Sequence, residues 1–361
     1  MRMALKEARK GFGRTSPNPC VGAVVVKGDR VIAKGYHAKA GKPHAEINAL
    51  RKAGKEADGA TIYVTLEPCN HTGRTPPCSQ ALVAAGIKRV VVGMEDPNPL
   101  VHGGGLAFLI DQSIEVLTGV LTEECRELNR PFLKYITTSM PWVVMKAGIS
   151  LDGRITYRKG TSGWITGPES LRKAHQLRDI SDAIMVGIGT ISIDDPSLTT
   201  RLANRKGRDP VRVVLDSSLR IPVSAKVLNL DSEASTWIFC GPEADVKRKE
   251  ELSAIGAIVR SVERDSTGGL DVREVLAALG HEGITSVLVE GGAKIHGSML
   301  RNRLVDHVNL FYAPIFAGDN GISLVQGLSV KNRGEAIHLE KIQCKRLGDD
   351  VMVEGDVSYQ N

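Results

Sequence analysis

The stretch Thr61-Ile-Tyr-Val-Thr-Leu-Glu-Pro-Cys69 decides the fold of the first half of the chain. Its first six residues are mostly β-branched or aromatic and read as a strand. Pro68 ends the strand and presents Cys69 at its exit. After eight intervening residues Cys78 opens a second element, a helix from Pro77 to Ala85 with proline near its first turn and Gly86 closing it. Upstream, Val21–Lys27 and Val31–Tyr36 read as strands joined by a Lys-Gly-Asp turn. His44–Ala53 reads as a helix with Ala45, Ile47, Ala49 and Leu50 on its apolar side. Arg89–Met94 is a further strand. The alternation of strands and helices predicts a layered α/β domain.

Three pieces of this domain carry chemistry: His44-Ala-Glu46 at a helix start, Pro68-Cys69 after a strand, and Cys78 at the next helix start. Zinc deaminases use one histidine and two cysteines as ligands, with a glutamate two residues after the histidine that does not bind the metal. Three protein ligands leave a fourth position for water, whose pKa the metal lowers toward neutrality. Glu46 is placed to take the water proton and hand it to the ring and the leaving ammonia. Single His-x-Glu or Pro-Cys pairs arise by chance; both in this order at these junctions do not. The usual pair is Cys-x-x-Cys, and here the insert Asn70–Pro77 adds a loop, with His71 as a rival ligand. Asn18 has an amide suited to a pyrimidine edge, and Arg74 a fork suited to phosphate. Taken as residues alone, Asn18, Arg74 and Asp96 read more readily as a turn, a solvated cation and a turn before proline. His102-Gly-Gly-Gly105 has the look of a hydrolase oxyanion loop, but the chain has no Gly-x-Ser-x-Gly elbow to go with it.

Thr65-Leu-Glu-Pro-Cys-Asn-His-Thr-Gly-Arg-Thr-Pro-Pro-Cys78 resembles the signature of riboflavin-specific deaminases, long insert included. Pro17-Asn-Pro19, Val21-Gly22, Gly35-Tyr-His37 and Asp96-Pro-Asn-Pro99 match as well, and the likeness runs nearly to the C-terminus. The chain is similar throughout to the bifunctional deaminase–reductases of riboflavin biosynthesis. The resemblance implies a cytidine-deaminase-like α/β/α layer domain followed by a dihydrofolate-reductase-like α/β domain. It places the zinc ligands on His44, Cys69 and Cys78 and the proton shuttle on Glu46. It also places Asn18, His37, Arg74 and Asp96 against the pyrimidine or its ribosyl phosphate.

Thr122–Thr138 reads as one helix leading to a break at Ser139-Met-Pro141. The expected domains are therefore 1–141, the deaminase, and 142–361, the reductase. The second half restarts with the strand Trp142–Ala147. It continues with strands at Ala183–Val186, Val211–Leu215, Thr236–Phe239, Ser286–Val289 and His307–Tyr312. Helices fall between them around Pro168–Arg178, Ala244–Leu252, Val272–Leu279 and Ala293–Asn302. No Gly-x-Gly-x-x-Gly occurs. Val287-Leu-Val-Glu-Gly-Gly-Ala293 runs a strand through two glycines into a helix, a junction that brings phosphate to free backbone N–H groups and is also a common structural turn.

Lys146–Arg154, Ser162-Gly-Trp-Ile-Thr166, Asp194–Thr199 and Glu290-Gly-Gly292 look like the riboflavin reductase domain. The likeness implies NADPH lined by Gly148, Trp164, Thr190, Asp194, Ser217, Gly292, Ala293, Lys294, Ile295, His296, Gly297 and Ser298. It implies a substrate ribose and phosphate held by Lys146, Ser162, Arg178, Leu198, Arg201 and Glu290. Lys146 and Asp194 are both candidates for the proton donor. The loop Arg205-Lys-Gly-Arg208 reads either as a clamp for a 2′-phosphate or as a solvated loop.

The 361 residues suit two domains, and the net charge of +6 is scattered among acids, as fits phosphorylated small molecules. Aromatic residues make up 4%, too few for a single-strand stacking channel, which argues against a nucleic-acid base deaminase. A structural zinc module would want a fourth ligand, and an intact Glu46 argues against one. The charged first ten residues predict no signal peptide, and no apolar run reaches the roughly 20 residues that span a bilayer. The expected partners are phosphoribosylaminopyrimidines in the cytoplasm, with neither nucleic acid nor membrane, and homo-oligomerisation left open. Six cysteines in such a setting form no disulfide framework; Cys20, Cys125, Cys240 and Cys344 read as ordinary buried thiols.

Overall fold

Five strands build the first sheet: β1 (Gly22–Lys27), β2 (Arg30–Tyr36), β3 (Thr61–Leu66), β4 (Arg89–Met94) and β5 (Glu115–Leu117). Their order is β2-β1-β3-β4-β5. β1 pairs antiparallel with β2 and β3, and β3, β4 and β5 run parallel. β3 and β4 are buried along nearly their whole length, as parallel strands covered on both faces are. The helices are α1 (Arg2–Ala8), α2 (Ala45–Ala53), α3 (Cys78–Ala84), α4 (Gly104–Asp111), α5 (Thr122–Leu128) and α6 (Arg130–Thr138). Val25, Ile62, Val64, Leu82, Val90, Val92 and Leu109 form the core between sheet and helices. Gly35 lets α2 lie close on β2: a Cβ there would stand 2.3 Å from the Ala45 carbonyl oxygen.

The computed structural model describes residues 1–70, 77–98 and 104–360, and the chain divides into two units, Met1–Ser139 and Met140–Asn361. Within the first, the helix expected over Thr122–Thr138 is two helices. Asn129 interrupts it, and Pro131 lacks the N–H that would carry the ladder across. The Asn129 side chain accepts the Cys20 N–H at 2.7 Å and donates to the carbonyls of Cys20 at 3.1 Å and Cys125 at 3.2 Å. The break thus ties the helix pair to the segment entering β1.

The second unit holds nine strands: β6 (Trp142–Ile149), β7 (Ala183–Gly187), β8 (Val211–Leu215), β9 (Thr236–Cys240), β10 (Ile258–Ser261), β11 (Ser286–Gly291), β12 (His307–Tyr312), β13 (His338–Leu347) and β14 (Asp350–Ser358). The order is β10-β9-β8-β7-β11-β6-β12-β14-β13, parallel except for the pairings of β14 with β12 and β13. Helices α7 (Pro168–Ile180), α8 (Ile188–Asp194), α9 (Val246–Ala254), α10 (Val272–His281) and α11 (Ala293–Arg301) connect them. The short β10, the α8 turn and the whole β13–β14 ribbon go beyond the elements expected from sequence.

The central strand β6 alternates. Val143, Met145, Ala147 and Ile149 join a core with Val287, Val289, Val308 and Leu310 and with Val275, Leu276 and Met299 of the helices. On its other face Val144 packs with Leu288, Phe311, Met352 and Leu177 of α7. Side chains two apart on a strand share a face, so Lys146 lies on that second face beside Val144, and α7 covers a charged side chain. Cys344 on the edge strand β13 is exposed rather than buried, because that stretch of β13 is uncovered on both faces.

Candidate active sites

In the first unit the three expected ligands come from three element ends. His44 is the N-cap of α2, Cys69 follows β3, and Cys78 opens α3. Their donor atoms all lie within 4.8 Å of one another. His44 Nδ1 is 3.2 Å from Cys78 Sγ and 3.6 Å from Cys69 Sγ. Donors on a tetrahedral zinc, with bonds of about 2.0–2.3 Å, stand a little over about 3 Å apart, so the set fits the ion. Hydrogen bonding from the Cys78 thiol and from His44 already pulls the Cys69 thiol down to about 4.

Glu46, in the first turn of α2, is buried, and its Oε2 has no hydrogen-bond partner. Burial raises its pKa to about 7, against the opposing pull of His44. A buried carboxyl with an unused oxygen beside three metal donors fits a group that carries a proton.

His37 lies edge-on to His44 with ring centroids 5.4 Å apart. Its Nδ1 is 3.2 Å from the Pro43 carbonyl oxygen, which can only accept, so Nδ1 carries the proton. Its Nε2 then accepts from the Asn18 amide at 3.1 Å. Burial lowers the His37 pKa and keeps the ring neutral. Asn18, His37 and the ligand histidine thus form one connected row. Asp96 is buried past the end of β4, where its carboxylate accepts the Asn98 N–H at 2.9 Å. Arg74, like the rival ligand His71, lies outside the described residues.

Glu67 is a residue the sequence reading passed over. Buried between Leu66 and Pro68, it accepts the N–H groups of Asp96 at 3.2 Å, Gly105 at 3.0 Å and Leu106 at 3.3 Å. It ties the exit of β3, the exit of β4 and the start of α4 together behind Cys69. Its place in Leu66-Glu-Pro-Cys69 was the available signal.

In the second unit Lys146, Arg178 and Glu290 come together. Arg178 and Glu290 form a bidentate pair, and Lys146 Nζ is 3.8 Å from Glu290 Oε2. Burial alone would raise the Glu290 carboxyl, but the charges of Arg178 and Lys146 outweigh it and hold it at about 2. Burial lowers the Lys146 pKa, with Glu290 opposing. Arg178 also donates to the Thr199 carbonyl at 3.0 Å, which fastens the segment carrying Leu198 and Arg201. Leu198 is itself in the core, at φ +53°, so it can offer only backbone to a ligand. Arg201 is exposed and folds back onto Ser197 and Thr199.

The expected cofactor residues gather less tightly. Gly292 has φ +90°, a conformation suited to glycine. Its carbonyl accepts from Ile295 and His296, while the amides of Ala293 and Lys294 have no acceptor among the described residues. Two free amides at the start of a nine-residue helix fit a phosphate. Thr190 Oγ1 sits beside Gly291, and Gly148 lies under Thr166. Ser162 and Trp164 are exposed in the segment before α7, Trp164 at 70%. Ser217 follows β8 and Asp194 ends α8. Ile295, His296 and Gly297 face inward; a Cβ on Gly297 would stand 1.7 Å from the Gln326 carbonyl oxygen. Lys294 is exposed and Ser298 half-buried. Arg205 pairs with Asp179, and Arg208 donates to Asp182 at 3.0 Å and to the Ser181 carbonyl at 2.7 Å, so both arginines of that loop already have buried partners.

The chain matches two family models. One, described as the RibD C-terminal domain, covers residues 141–353. The other, the cytidine and deoxycytidylate deaminase zinc-binding region, covers residues 1–94. The riboflavin biosynthesis protein RibD of Bacillus amyloliquefaciens is 42% identical, over 100% of this chain and 98% of the relative. The solved structure of Acinetobacter baumannii RibD, form 1, superposes with a TM-score of 0.89 at 36% identity, over 99% of this chain and 97% of that one. A Thermotoga maritima structure, described as a diaminohydroxyphosphoribosylaminopyrimidine deaminase and 5-amino-6-(5-phosphoribosylamino)uracil reductase, gives 0.83 at 36% identity, with coverage of 99% and 97%. Among the described residues no helix is long and apolar enough to cross a membrane.

Proposed function

This chain belongs to the RibD family of riboflavin biosynthesis proteins, and from that premise we propose how its residues divide two reactions between them. It is a bifunctional deaminase and reductase. The deaminase acts on 2,5-diamino-6-(5-phosphoribosylamino)pyrimidin-4(3H)-one. The reductase converts 5-amino-6-(5-phosphoribosylamino)uracil to its ribitylamino product. The cofactors are Zn2+ and NADPH.

His44 Nδ1, Cys69 Sγ and Cys78 Sγ would hold the zinc. When bound, the metal supplies Lewis acidity that makes water a nucleophile near neutral pH. Glu46 would carry two protons in turn, the first from the attacking water to the ring nitrogen and the second from the hydroxyl so added to the amine that leaves as ammonia. The Asn18 amide is oriented by His37, which leaves its Oδ1 to accept from the pyrimidine. In the reductase, Glu290 accepts from ribose hydroxyls while Arg178 holds its carboxylate in place. Arg201 meets the phosphate. The amides of Ala293 and Lys294 would hold phosphates of NADPH, which would supply the hydride when bound. Lys146, buried and with a lowered pKa, is the better placed of the two proton-donor candidates, since the exposed Asp194 shows no contact with the Glu290 cluster.

One observation carries this reading: a histidine and two cysteines within 4.8 Å of one another, next to a buried glutamate with an unpartnered oxygen. The test supplies the diaminopyrimidine with and without NADPH. Ammonia release without NADPH, followed by NADPH oxidation and a ribitylamino product, is expected. Chelation of the metal should stop ammonia release and leave reduction of pre-deaminated substrate intact. NADPH oxidation that also stops on chelation would overturn the division of labour. We further take the partners to be small molecules only and the location to be the cytoplasm.

A further inference from the structure

His175 lies on α7 one turn before Arg178, on the same side of the helix. It is 4% exposed. Its Nδ1 accepts the backbone N–H of Arg201 at 3.2 Å. A ring nitrogen that accepts holds no proton, so in the neutral ring the proton is on Nε2. That N–H has no partner among the described residues. Unlike the Nε2 of His296, this atom is not sealed from solvent, so a ligand can reach it.

The charged neighbours of the ring are Arg178, Arg201, Glu290 and Lys146. They are the residues that the reductase reading gives to the substrate. Burial first, and then the charges of Arg178 and Arg201, hold the imidazole neutral with a pKa of about 4. A fourth cation would crowd three others, whereas a neutral N–H adds a directed donor without added repulsion. The backbone at Arg201 is fixed by His175 itself, which sets the ring beside the root of the Arg201 side chain.

We propose that His175 is a further substrate-binding residue of the reductase site, its Nε2–H donating to an oxygen of the phosphate that Arg201 holds. The proposal rests on the reductase reading above.

The test uses His175→Asn, His175→Gln and His175→Leu in the full chain. An asparagine Oδ1 can take the place of Nδ1 and keep the bond from Arg201, but nothing then reaches the position of Nε2. A glutamine amide reaches that position and gives up the Arg201 bond. Reductase kinetics are measured at saturating NADPH with the phosphorylated substrate and with its dephosphorylated analogue. A hydrogen bond to a charged oxygen is worth about 1.5–3 kcal/mol, so His175→Asn should raise KM for the phosphorylated substrate at least about tenfold. Its kcat should stay within about twofold, and its KM for the analogue should match the wild type. His175→Gln should recover part of the loss. Wild-type KM in His175→Asn, with loss only in His175→Leu, would show that the ring merely fastens the loop and would overturn the proposal. So would an equal loss on both substrates. If the wild-type chain itself gives no NADPH-dependent reduction, the reductase reading falls first and takes this proposal with it.

Discussion

Arg178 and Glu290 meet fork to fork, Nε to Oε1 at 2.7 Å and Nη2 to Oε2 at 2.8 Å, with side chains 12% and 6% exposed. Removing one member leaves the other charge buried without its partner, a loss of about 3–5 kcal/mol in comparable pairs. Glu290→Ala and Arg178→Ala should each lower the unfolding free energy of the second unit by an amount of that order. The double variant Arg178→Met with Glu290→Leu should regain most of that stability while NADPH-dependent reduction stays lost. Thermal unfolding and reductase assays on the three proteins check this. A double variant as unstable as the singles would show that the pair is not the source of the penalty.

Gly105 packs against the carbonyl of Pro68, the residue before a zinc ligand. A Cβ at Gly105 would stand 1.9 Å from that oxygen, so α4 or the Pro68-Cys69 turn must move to admit one. Both groups are backbone, which leaves no flexible side chain to yield. Gly105→Ala should therefore cut bound zinc per chain and ammonia release together, while reduction of pre-deaminated substrate is unchanged. Metal analysis by mass spectrometry after extensive dialysis is the measurement. Full zinc retention would mean the loop absorbs the methyl group.

The same glycine shows where sequence reading stops. His102–Gly105 drew attention as a glycine run, and the use of Gly105, letting a helix approach Pro68, depends on a contact far along the chain that no local pattern announces. The zinc set was legible because each ligand sits at an element end and each end has its own punctuation: Pro68, Pro77 and the helix start at His44. The parallel strands β4 and β8 were legible because buried β-branched runs bounded by turns leave little choice. The ribbon β13–β14 was missed because β13 is an edge strand. Edges carry charge to discourage association, and Glu340, Lys341, Lys345 and Arg346 hide the period of two; the turn residues Gly348-Asp349 were the remaining clue. The Arg178–Glu290 pair spans 112 residues, and the partner of His175 is a backbone N–H, which has no sequence signature at all.

His296 gives the second unit a pH dependence of definite sign. It is 1% exposed, its Nδ1 bonds the Leu324 carbonyl at 3.2 Å, and its pKa falls to about 4, through burial first and with the charge of Lys146 adding to the shift. The unfolded chain takes up the proton near the ordinary value of about 6.5, so it binds more protons than the folded chain between there and about 4. Stability must then fall as pH drops through that window. His175 adds to the fall with the same sign, and Glu290 contributes a separate loss at lower pH as its carboxylate is protonated. His296→Asn keeps a donor for Leu324 but cannot titrate. Denaturant midpoints of the second unit measured from about pH 7 down to about 4.5, inside that window, should fall less steeply in this variant than in the wild type. Parallel curves would mean that His296 titrates in the folded protein as it does in the unfolded one.

Glu46 sets activity against stability. Its carboxyl is buried, its Oε2 has no partner, and burial holds its pKa at about 7, so near neutrality the folded protein keeps a poorly solvated, half-used acid. Burying such a group without full hydrogen bonding is costly, and a neutral amide of the same shape removes the cost of the charge. Glu46→Gln leaves His44, Cys69 and Cys78 in place, so zinc content should be unchanged. The amide cannot accept a proton from water and pass it to the leaving ammonia. Ammonia release should drop by at least about 10²-fold, the ordinary worth of a positioned general acid–base group. The unfolding midpoint of the first unit should hold or rise. A residue kept for packing would give the reverse pattern, lower stability with activity lost only in proportion. Loss of turnover in a zinc-loaded protein at least as stable as the wild type would assign Glu46 to the reaction. Near-normal ammonia release from the same protein would remove it from the mechanism.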